Sequence, residues 1–166
     1  MLSGDVFNAD DVARAIGGRE AVLSLFGVPY TRKPVTVYSQ GTANIIEAMR
    51  EVGVRRLVCC TSGGTNPKYD PAEGIIFGRI IKPFIGRTLY ADMRRMEEIV
   101  MASDLDWTIA RPAQLVDGTA VSAYRVEEKY VIPGMRKTAR VDLADFMLKE
   151  AVSPRHVRKA VAVATR

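Results

Sequence analysis

The chain has 166 residues, of which 48% are hydrophobic and 26% charged, a composition typical of a folded globular protein that excludes a disordered chain. We therefore expect residues 1–166 to form a single domain. The net charge of +5 permits an anionic ligand, but the basic residues occur as scattered pairs and not as a dense stripe, so we expect no nucleic-acid partner.

The opening segment MLSGDVFNADDV predicts a turn followed by a short helix. Gly4–Val6 is typical of a turn that leaves a strand, and Asn8 is a residue type that caps helices. Val12, Ala15 and Ile16 then follow at helical spacing. We interpret this as a start that follows a strand, which itself lies outside the sequence.

Strands and helices alternate through the rest of the chain. Nearly continuous apolar runs predict buried strands, and apolar residues three and four apart predict helices. In chain order these elements are a strand Ala21–Phe26, a helix Thr36–Val52, a strand Arg56–Cys60, a helix Thr88–Ala102, a strand Trp107–Ala110 halted by Arg111-Pro112, a hairpin of Tyr124–Val126 with Tyr130–Ile132, a helix Val141–Val152 and a strand Ala160–Ala164. Such alternation predicts an α/β fold with a parallel sheet flanked by helices.

The stretch Gly74–Ile85 is too apolar for an ordinary surface loop. It is consistent either with a helix packed on the core or with a lid or association surface over a ligand cleft. A membrane-surface role is the least favoured, because only Arg79 and Lys82 supply positive charge there. Elsewhere we find no apolar run of membrane-spanning length and no signal peptide, so we expect no membrane partner and a cytoplasmic location.

The cysteine and histidine content argues against a metal site and a serine hydrolase. One histidine and two adjacent cysteines do not make a ligand set for a metal. Cys59 and Cys60 are strand neighbours that point to opposite faces, so we expect two buried free thiols in a reducing compartment. His156 lies near the C-terminus beside Arg155 and Arg158, and we expect it to be solvated and far from any strand-end serine.

The predicted sheet places three polar turns at one edge, because ligands of open parallel sheets bind beyond the carboxyl ends of the strands. Those ends are Phe26-Gly27, Thr61–Gly63 and Arg111–Gln114. The glycines would let a flat ligand approach the backbone, and the hydroxyls could bind a carbonyl or a ribose. An ordinary turn explains Thr-Ser-Gly-Gly equally well. Arg111 could hold a phosphate or pair with a helix-end carboxylate.

Five segments, taken together and in this order, resemble the atypical short-chain dehydrogenase/reductase group, which includes the NAD(P)H-binding NmrA-like proteins and the biliverdin-IXβ/flavin reductases. They are Gly4-Asp5-Val6, the strand Ala21–Gly27, YSQGTANIIEAMREVGVRRLVCCTS, SDLDWTIARPAQLVDG and ARVDLADFMLKE. The resemblance implies a Rossmann-type sheet that holds NADP or NAD, and often reduction of a flavin-like, quinone-like or other conjugated small-molecule substrate.

The resemblance also implies which residues form the site. Those expected to bind the cofactor are Asp5, Val6, Phe26, Gly27, Thr61, Ser62, Arg111, Pro112 and Ala113. Those expected to bind the substrate are Gly63, Phe77, Phe84 and Gln114. Ser62 would hydrogen-bond the nicotinamide side or a substrate carbonyl, and Phe77 or Phe84 would cover a flat ring and exclude water.

The chain departs from the family in its phosphate-binding loop. The 166 residues contain no G-x-x-G-x-x-G turn, so we expect at least one βαβ unit, on the order of 30 residues, to be absent. On this interpretation the chain is an N-terminally truncated Rossmann-like domain, from a fragment or a wrongly started gene product, or else a degenerate relative. Its uncovered sheet edge should be apolar and able to pair with another copy.

The catalytic tyrosine of the wider superfamily is displaced here. Its Tyr-x-x-x-Lys positions fall on Leu89 and Met93, whereas Tyr90 and Arg94 have the right spacing one residue out of register. Arginine stays protonated and replaces lysine poorly. Tyr90 is either the proton donor or a tyrosine at a helix edge, and biliverdin-type relatives also lack the pair.

Three functions are therefore open. The first is an NAD(P)H-dependent oxidoreductase that acts on a planar conjugated substrate, with Ser62 and Tyr90 as candidate catalytic residues, provided that the working protein contains the missing N-terminal βαβ unit. The second is a non-catalytic dinucleotide sensor of the NmrA kind. The third is a remnant fold without a cofactor.

Overall fold

A five-stranded, mostly parallel sheet forms the centre of the protein. The computed structural model describes residues 3–166. The sheet strands are β1 (Ala21–Ser24), β2 (Arg56–Cys60), β3 (Asp106–Pro112), β5 (Tyr124–Glu127) and β7 (Lys159–Thr165), in the order β1-β2-β3-β7-β5. The first four in that order run parallel, and β5 pairs antiparallel with β7. The predicted α/β class and parallel core are confirmed.

Four α-helices and a π-helix accompany the sheet. They are α1 (Ala9–Ile16), α2 (Val37–Glu51), α3 (Arg87–Ala102), α4 (Arg140–Val152) and the π-helix Phe77–Ile85. Two short strands, β4 (Gln114–Val116) and β6 (Lys137–Ala139), form a separate parallel pair. Short 3₁₀ turns lie at Gly63–Thr65 and Pro71–Glu73. No helix in residues 3–166 is long and apolar enough to cross a bilayer.

Hydrophobic burial on both faces explains why the central strands are continuous apolar runs. In β2, Leu57 and Cys59 pack with the helices α1, α2 and α3, whereas Val58 points to the opposite face and packs with Phe146 and Met147 of α4. This alternation is the period of two that a strand imposes on its side chains. The edge strand β1 is mostly half-buried, because only one neighbouring strand covers it.

The N-terminus of α2 is capped by a residue from another helix. Its own N-cap residue, Thr36, makes no side-chain capping bond. The buried carboxylate of Asp92, on α3, instead accepts hydrogen bonds from the N–H groups of Tyr38 (2.9 Å) and Ser39 (3.3 Å). This contact satisfies donors that a helix start leaves unpaired and joins α2 to α3.

Glu150, near the C-terminal end of α4, ties that helix to the sheet. The Arg56 guanidinium donates to the Glu150 backbone carbonyl (2.7 and 2.9 Å) and lies 3.3 Å from its carboxylate. His156 contacts the same carboxylate through Nδ1 at 2.8 Å. Burial favours a raised Glu150 pKa, but the hydrogen bonds from His156 and Arg155 outweigh it, so the pKa lies below its ordinary value. The expectation of a solvated His156 was therefore wrong, since this ring is half-buried against α4.

Two other sequence-based expectations were wrong. Tyr124–Glu127 pairs with β7 instead of forming a hairpin with Tyr130–Ile132, which is not a strand. The strand β3 is not halted at Arg111-Pro112, since both residues pair in register with Ala162 and Val163. Proline lacks an N–H but its fixed φ suits an extended chain, so it is tolerated at a strand end.

The apolar stretch Gly74–Ile85 is largely a π-helix that is only partly packed. Phe77 contacts the core, whereas Ile75, Ile76 and Phe84 are exposed. The first alternative, a helix packed on the core, holds for the face that carries Phe77. A lid or association role for the exposed apolar face stays a prediction.

Candidate functional site

A buried carboxylate organises the carboxyl ends of β2 and β3. Glu97, on α3, accepts hydrogen bonds through Oε1 from Thr61 Oγ1 (2.7 Å) and Thr65 Oγ1 (3.0 Å). Arg111 donates from Nε to Oε1 at 3.0 Å and from a terminal nitrogen to Oε2 at 2.7 Å. Both charged side chains are buried. The network holds the turn after β2 against the end of β3 and leaves no group of the ion pair exposed.

Arg111 therefore has the second of the two roles that the sequence left open, an ion pair with a helix carboxylate, although Glu97 lies within α3 and not at its end. The guanidinium also lies 3.9 Å above the centre of the Tyr130 ring. The loop at Tyr130 closes tightly on the β2 turn, because a Cβ on Gly63 would lie 2.8 Å from the Tyr130 carbonyl. Only glycine permits this approach.

Ser62 is the hydroxyl at the end of β2 that does not bind Glu97. It is half-buried, and its Oγ accepts the N–H of Gly64 at 3.1 Å. A serine hydroxyl that accepts one hydrogen bond keeps its own hydrogen for another partner. Thr61, by contrast, is buried and donates its hydroxyl hydrogen to Glu97.

Tyr90 lies beside Ser62, in the first half of α3. Its ring fills the space between Gly64 and Gly86, and it packs edge-on to Phe77 at a centroid distance of 5.9 Å. Its hydroxyl is 2.7 Å from that of Tyr30, which is exposed. The contact links a buried phenol to solvent through a second phenol.

Burial raises the pKa of Tyr90 well above its ordinary value, and the hydrogen bond with Tyr30 raises it further. The nearby Ser62 hydroxyl has a smaller, opposite effect. A phenol with a raised pKa is a weak acid, so in this structure Tyr90 is poorly suited to donate a proton at neutral pH.

The two cysteines are free and are not nucleophiles. Burial raises the pKa of Cys60 to about 12 and also raises that of Cys59. Both remain protonated thiols at neutral pH, and thiols attack poorly because the thiolate is the reactive form.

The predicted cofactor residues at the end of β1 form a second group. Tyr38 packs against Phe26 at a centroid distance of 5.9 Å, and its hydroxyl accepts the N–H of Val28 at 3.2 Å. Val6 and Phe26 both approach Gly41 of α2, where a Cβ would lie 2.9 Å from the Val6 side chain. The contacts fix the position of the exposed Gly27 turn. Because β1 and β2 are parallel, this turn lies at the same edge of the sheet as Ser62.

The remaining predicted residues are less closely associated. Asp5 is exposed and its carboxylate accepts the N–H of Phe7 at 2.9 Å. Pro112 is buried, whereas Ala113 is half-buried and donates its N–H to Thr138. Gln114 is exposed in the separate β4–β6 sheet. Of the two candidate ring-covering residues, Phe77 contacts Tyr90, whereas Phe84 is 70% exposed and has no aromatic partner within residues 3–166.

A nicotinamide dinucleotide fits this edge only in part. At the predicted nicotinamide end of the dinucleotide, Gly27 is exposed and Ser62 is half-buried, so neither is closed off by packing. Its pyrophosphate requires free N–H groups at a helix N-terminus, but the start of α2 is already satisfied by the negative Asp92, and the Gly64 N–H by Ser62. Neither the start of α2 nor the Gly64 N–H is therefore free to bind a pyrophosphate.

Sequence reasoning did not identify Glu97, Asp92 or Tyr30. For Glu97 and Asp92 the sequence does contain a signal: each is an acidic residue on the predicted apolar face of α3. Charged residues are seldom fully buried unless paired, so such a position indicates a buried partner. Tyr30 lies in a loop, and no periodicity marks it.

The polar strand ends of a mostly parallel sheet define the class of Rossmann-like nucleotide-binding folds. The family described as NAD(P)H-binding matches residues 1–154. The chain belongs to this family.

Solved structures agree on the fold. The oxidoreductase ylbE from Lactococcus lactis is 16% identical, with a TM-score of 0.79 over 99% of this chain and 71% of that one. A short-chain dehydrogenase/reductase from Veillonella parvula in complex with NADP is 14% identical, with a TM-score of 0.78 over 98% and 70%. A candidate NADH-flavin reductase from Streptococcus pneumoniae is 18% identical, with a TM-score of 0.74 over 99% and 80%.

The Glu97 network predicts a strong and specific effect on stability. Glu97→Gln leaves the buried Arg111 without a counter-charge, so we expect the free energy of unfolding to fall by about 3 kcal/mol. The matched control is Glu98→Gln on the same helix, where the side chain is exposed and the change should stay within about 0.5 kcal/mol. Urea denaturation measures both. Equal losses in the two variants would show that the network does not stabilise the fold.

Proposed function

We propose that this chain is an NAD(P)H-dependent oxidoreductase that reduces a planar conjugated small molecule, such as a flavin or a quinone, at the carboxyl ends of β1, β2 and β3. The observation that carries the proposal is Ser62, a half-buried strand-end hydroxyl whose oxygen is fixed by the Gly64 N–H and which lies beside the aromatic pair Tyr90 and Phe77. When bound, the nicotinamide supplies the hydride. Membership of the NAD(P)H-binding family does not by itself distinguish NADP from NAD.

The residues of this chain would orient the substrate and exclude water. Ser62 is positioned to donate a hydrogen bond to a substrate carbonyl, while its Oγ is fixed by the Gly64 N–H. Phe77, in the π-helix, offers an apolar edge for a flat ring. Arg111 and Thr61 act indirectly, since both are bound to Glu97 and shape the turn that presents Ser62. The two free cysteines support a reducing compartment, and we propose the cytoplasm.

The poor fit of the pyrophosphate favours a second candidate, a remnant fold that no longer holds the cofactor. We expect the 166-residue chain alone to bind NADPH with a dissociation constant on the order of 1 mM or weaker, because the start of α2, the helix that follows β1, is already satisfied by the Asp92 carboxylate. Calorimetric titration with NADPH measures this. A micromolar constant would contradict the expectation and exclude the remnant.

Variants of the two hydroxyls test the catalytic assignment. With NADPH at millimolar concentration and a quinone as substrate, we expect Ser62→Ala to lower kcat by about 100-fold, the scale of a lost hydrogen bond to developing charge. Tyr90→Phe should lower it less, because the Tyr90 hydroxyl is buried and its pKa is raised. Thermal melting of both variants serves as the folding control. Loss of activity in Tyr90→Phe with Ser62→Ala unaffected would reverse the two roles.

We infer that the β1 edge pairs with a second copy of the chain, since no strand in the described part of the molecule covers its outer side. Leu25, which directly follows β1, is 54% exposed, and Leu148 on α4 is 58% exposed. We expect sedimentation velocity to show a dimer that dissociates in Leu25→Lys and persists in the matched control Leu148→Lys. A monomeric parent chain would contradict the inference.

A further inference from the structure

A cavity of about 190 Å³ lies between residues 67–69, the π-helix and the beginning of α3. Four cationic side chains line it, and no acidic side chain does: Lys68, Lys82, Arg87 and Arg94. The rings of Tyr69 and Tyr90 complete its wall. None of these residues except Tyr90 belongs to the strand-end site.

Only one of the four cations is neutralised. Lys82 Nζ lies 2.8 and 3.0 Å from the two carboxylate oxygens of Glu73, which is almost fully buried. Lys68, Arg87 and Arg94 form no ion pair with any carboxylate in residues 3–166. Three positive charges thus converge on one concave surface without compensation, although exposed cations of like sign repel one another.

The start of α3 adds to this positive field. Arg87 is its first residue, and its first turn has neither a side-chain cap nor an acidic residue. The first N–H groups of a helix have no intrahelical acceptor and carry a partial positive charge. Here, unlike at α2, no carboxylate satisfies them.

We propose that this cavity binds the acidic group, a phosphate or a carboxylate, of the small molecule that the protein reduces. Its volume is below the roughly 300–1,000 Å³ of pockets that enclose whole ligands, so it suits one charged group and not a dinucleotide. Tyr90 forms its wall and packs against Gly64 in the turn that orients Ser62. A ligand anchored in the cavity would therefore reach the proposed reaction site. The substrate assignment rests on the proposed function, whereas binding of the acidic group does not.

Direct binding tests the cavity without any turnover. Inorganic phosphate is titrated into the 166-residue chain at low salt, and the amide shifts of α3, Lys68 and Tyr69 are followed by NMR. We expect saturable shifts at these residues, with an affinity about tenfold weaker in Arg87→Gln and in Arg94→Gln. The matched control is Arg95→Gln, an exposed arginine of the same helix that does not line the cavity. Absence of saturation, or equal weakening by Arg95→Gln, would overturn the proposal.

A matched substrate pair tests the assignment to the substrate. FMN and riboflavin share the reducible ring and differ in one phosphate group. We expect NADPH-dependent reduction to show a KM about tenfold lower for FMN than for riboflavin, and the Arg87→Gln/Arg94→Gln double variant to lose that preference with little change for riboflavin. An unchanged FMN preference in the double variant would overturn the substrate assignment.

The cofactor is the other source of a phosphate group. NADPH and NADH differ in the 2′-phosphate, so the ratio of their kcat/KM values, measured with riboflavin, reports whether the cavity holds that group. We expect the ratio to be the same in the parent chain and the double variant. A ratio that collapses in the double variant would overturn the assignment to the substrate.

Failure of the proposed function would look different. If neither flavin is reduced but phosphate binds as described, the oxidoreductase proposal fails and the acid-binding cavity stands. If both flavins are reduced at equal KM and phosphate does not bind, the oxidoreductase proposal stands and the cavity proposal fails.

Discussion

The ion pair between Glu97 and Arg111 is the interaction on which the rest of the site depends. It joins α3 to the end of β3, and through the hydroxyls of Thr61 and Thr65 it holds the turn after β2. Two charges removed from water are tolerated only where each oxygen and each N–H has a partner. Here Arg111 donates to both carboxylate oxygens, the Thr61 hydroxyl donates to Oε1, and the Tyr130 ring covers the guanidinium, so the charges are compensated.

Because of this ion pair, the polar groups at the strand ends fall into two sets: those that bind Glu97 and those that do not. The Thr61 hydroxyl and two of the three Arg111 side-chain nitrogens donate to the buried carboxylate of Glu97. Ser62, one residue further along, is half-buried and held from behind by a backbone N–H. A hydroxyl oriented by a rigid turn is the arrangement that preorganised catalysis requires, because it loses little freedom when a ligand binds.

Carboxylates also determine where anions can bind. Asp92 neutralises the start of α2, so this position at the carboxyl edge of the sheet is closed to a pyrophosphate. The start of α3 has no such cap, and three cations that form no ion pair within residues 3–166 lie around the cavity beside it. The proposed site for a negative group therefore lies beside the π-helix and not at the Gly27 turn. A glycine-loop dinucleotide site differs, because there the phosphates bind at the start of the helix that follows the strand.

The sequence by itself determined the α/β class, the positions of the main strands and helices, and the turns that form the site. These follow from periodicity and from turn residues such as Gly63, which act within a few positions along the chain. The absence of a glycine loop is likewise a local fact, and it already limited what could be expected of cofactor binding.

Only the tertiary structure decided which side chains meet. Thr61 and Glu97 are 36 residues apart and Tyr30 and Tyr90 are 60 apart, and no local spacing links them. The antiparallel pairing of β5 with β7, in place of a hairpin with Tyr130–Ile132, was likewise decided by an available strand edge. Contacts of this kind depend on packing across the whole chain, whereas periodicity reports only which face of one element is apolar.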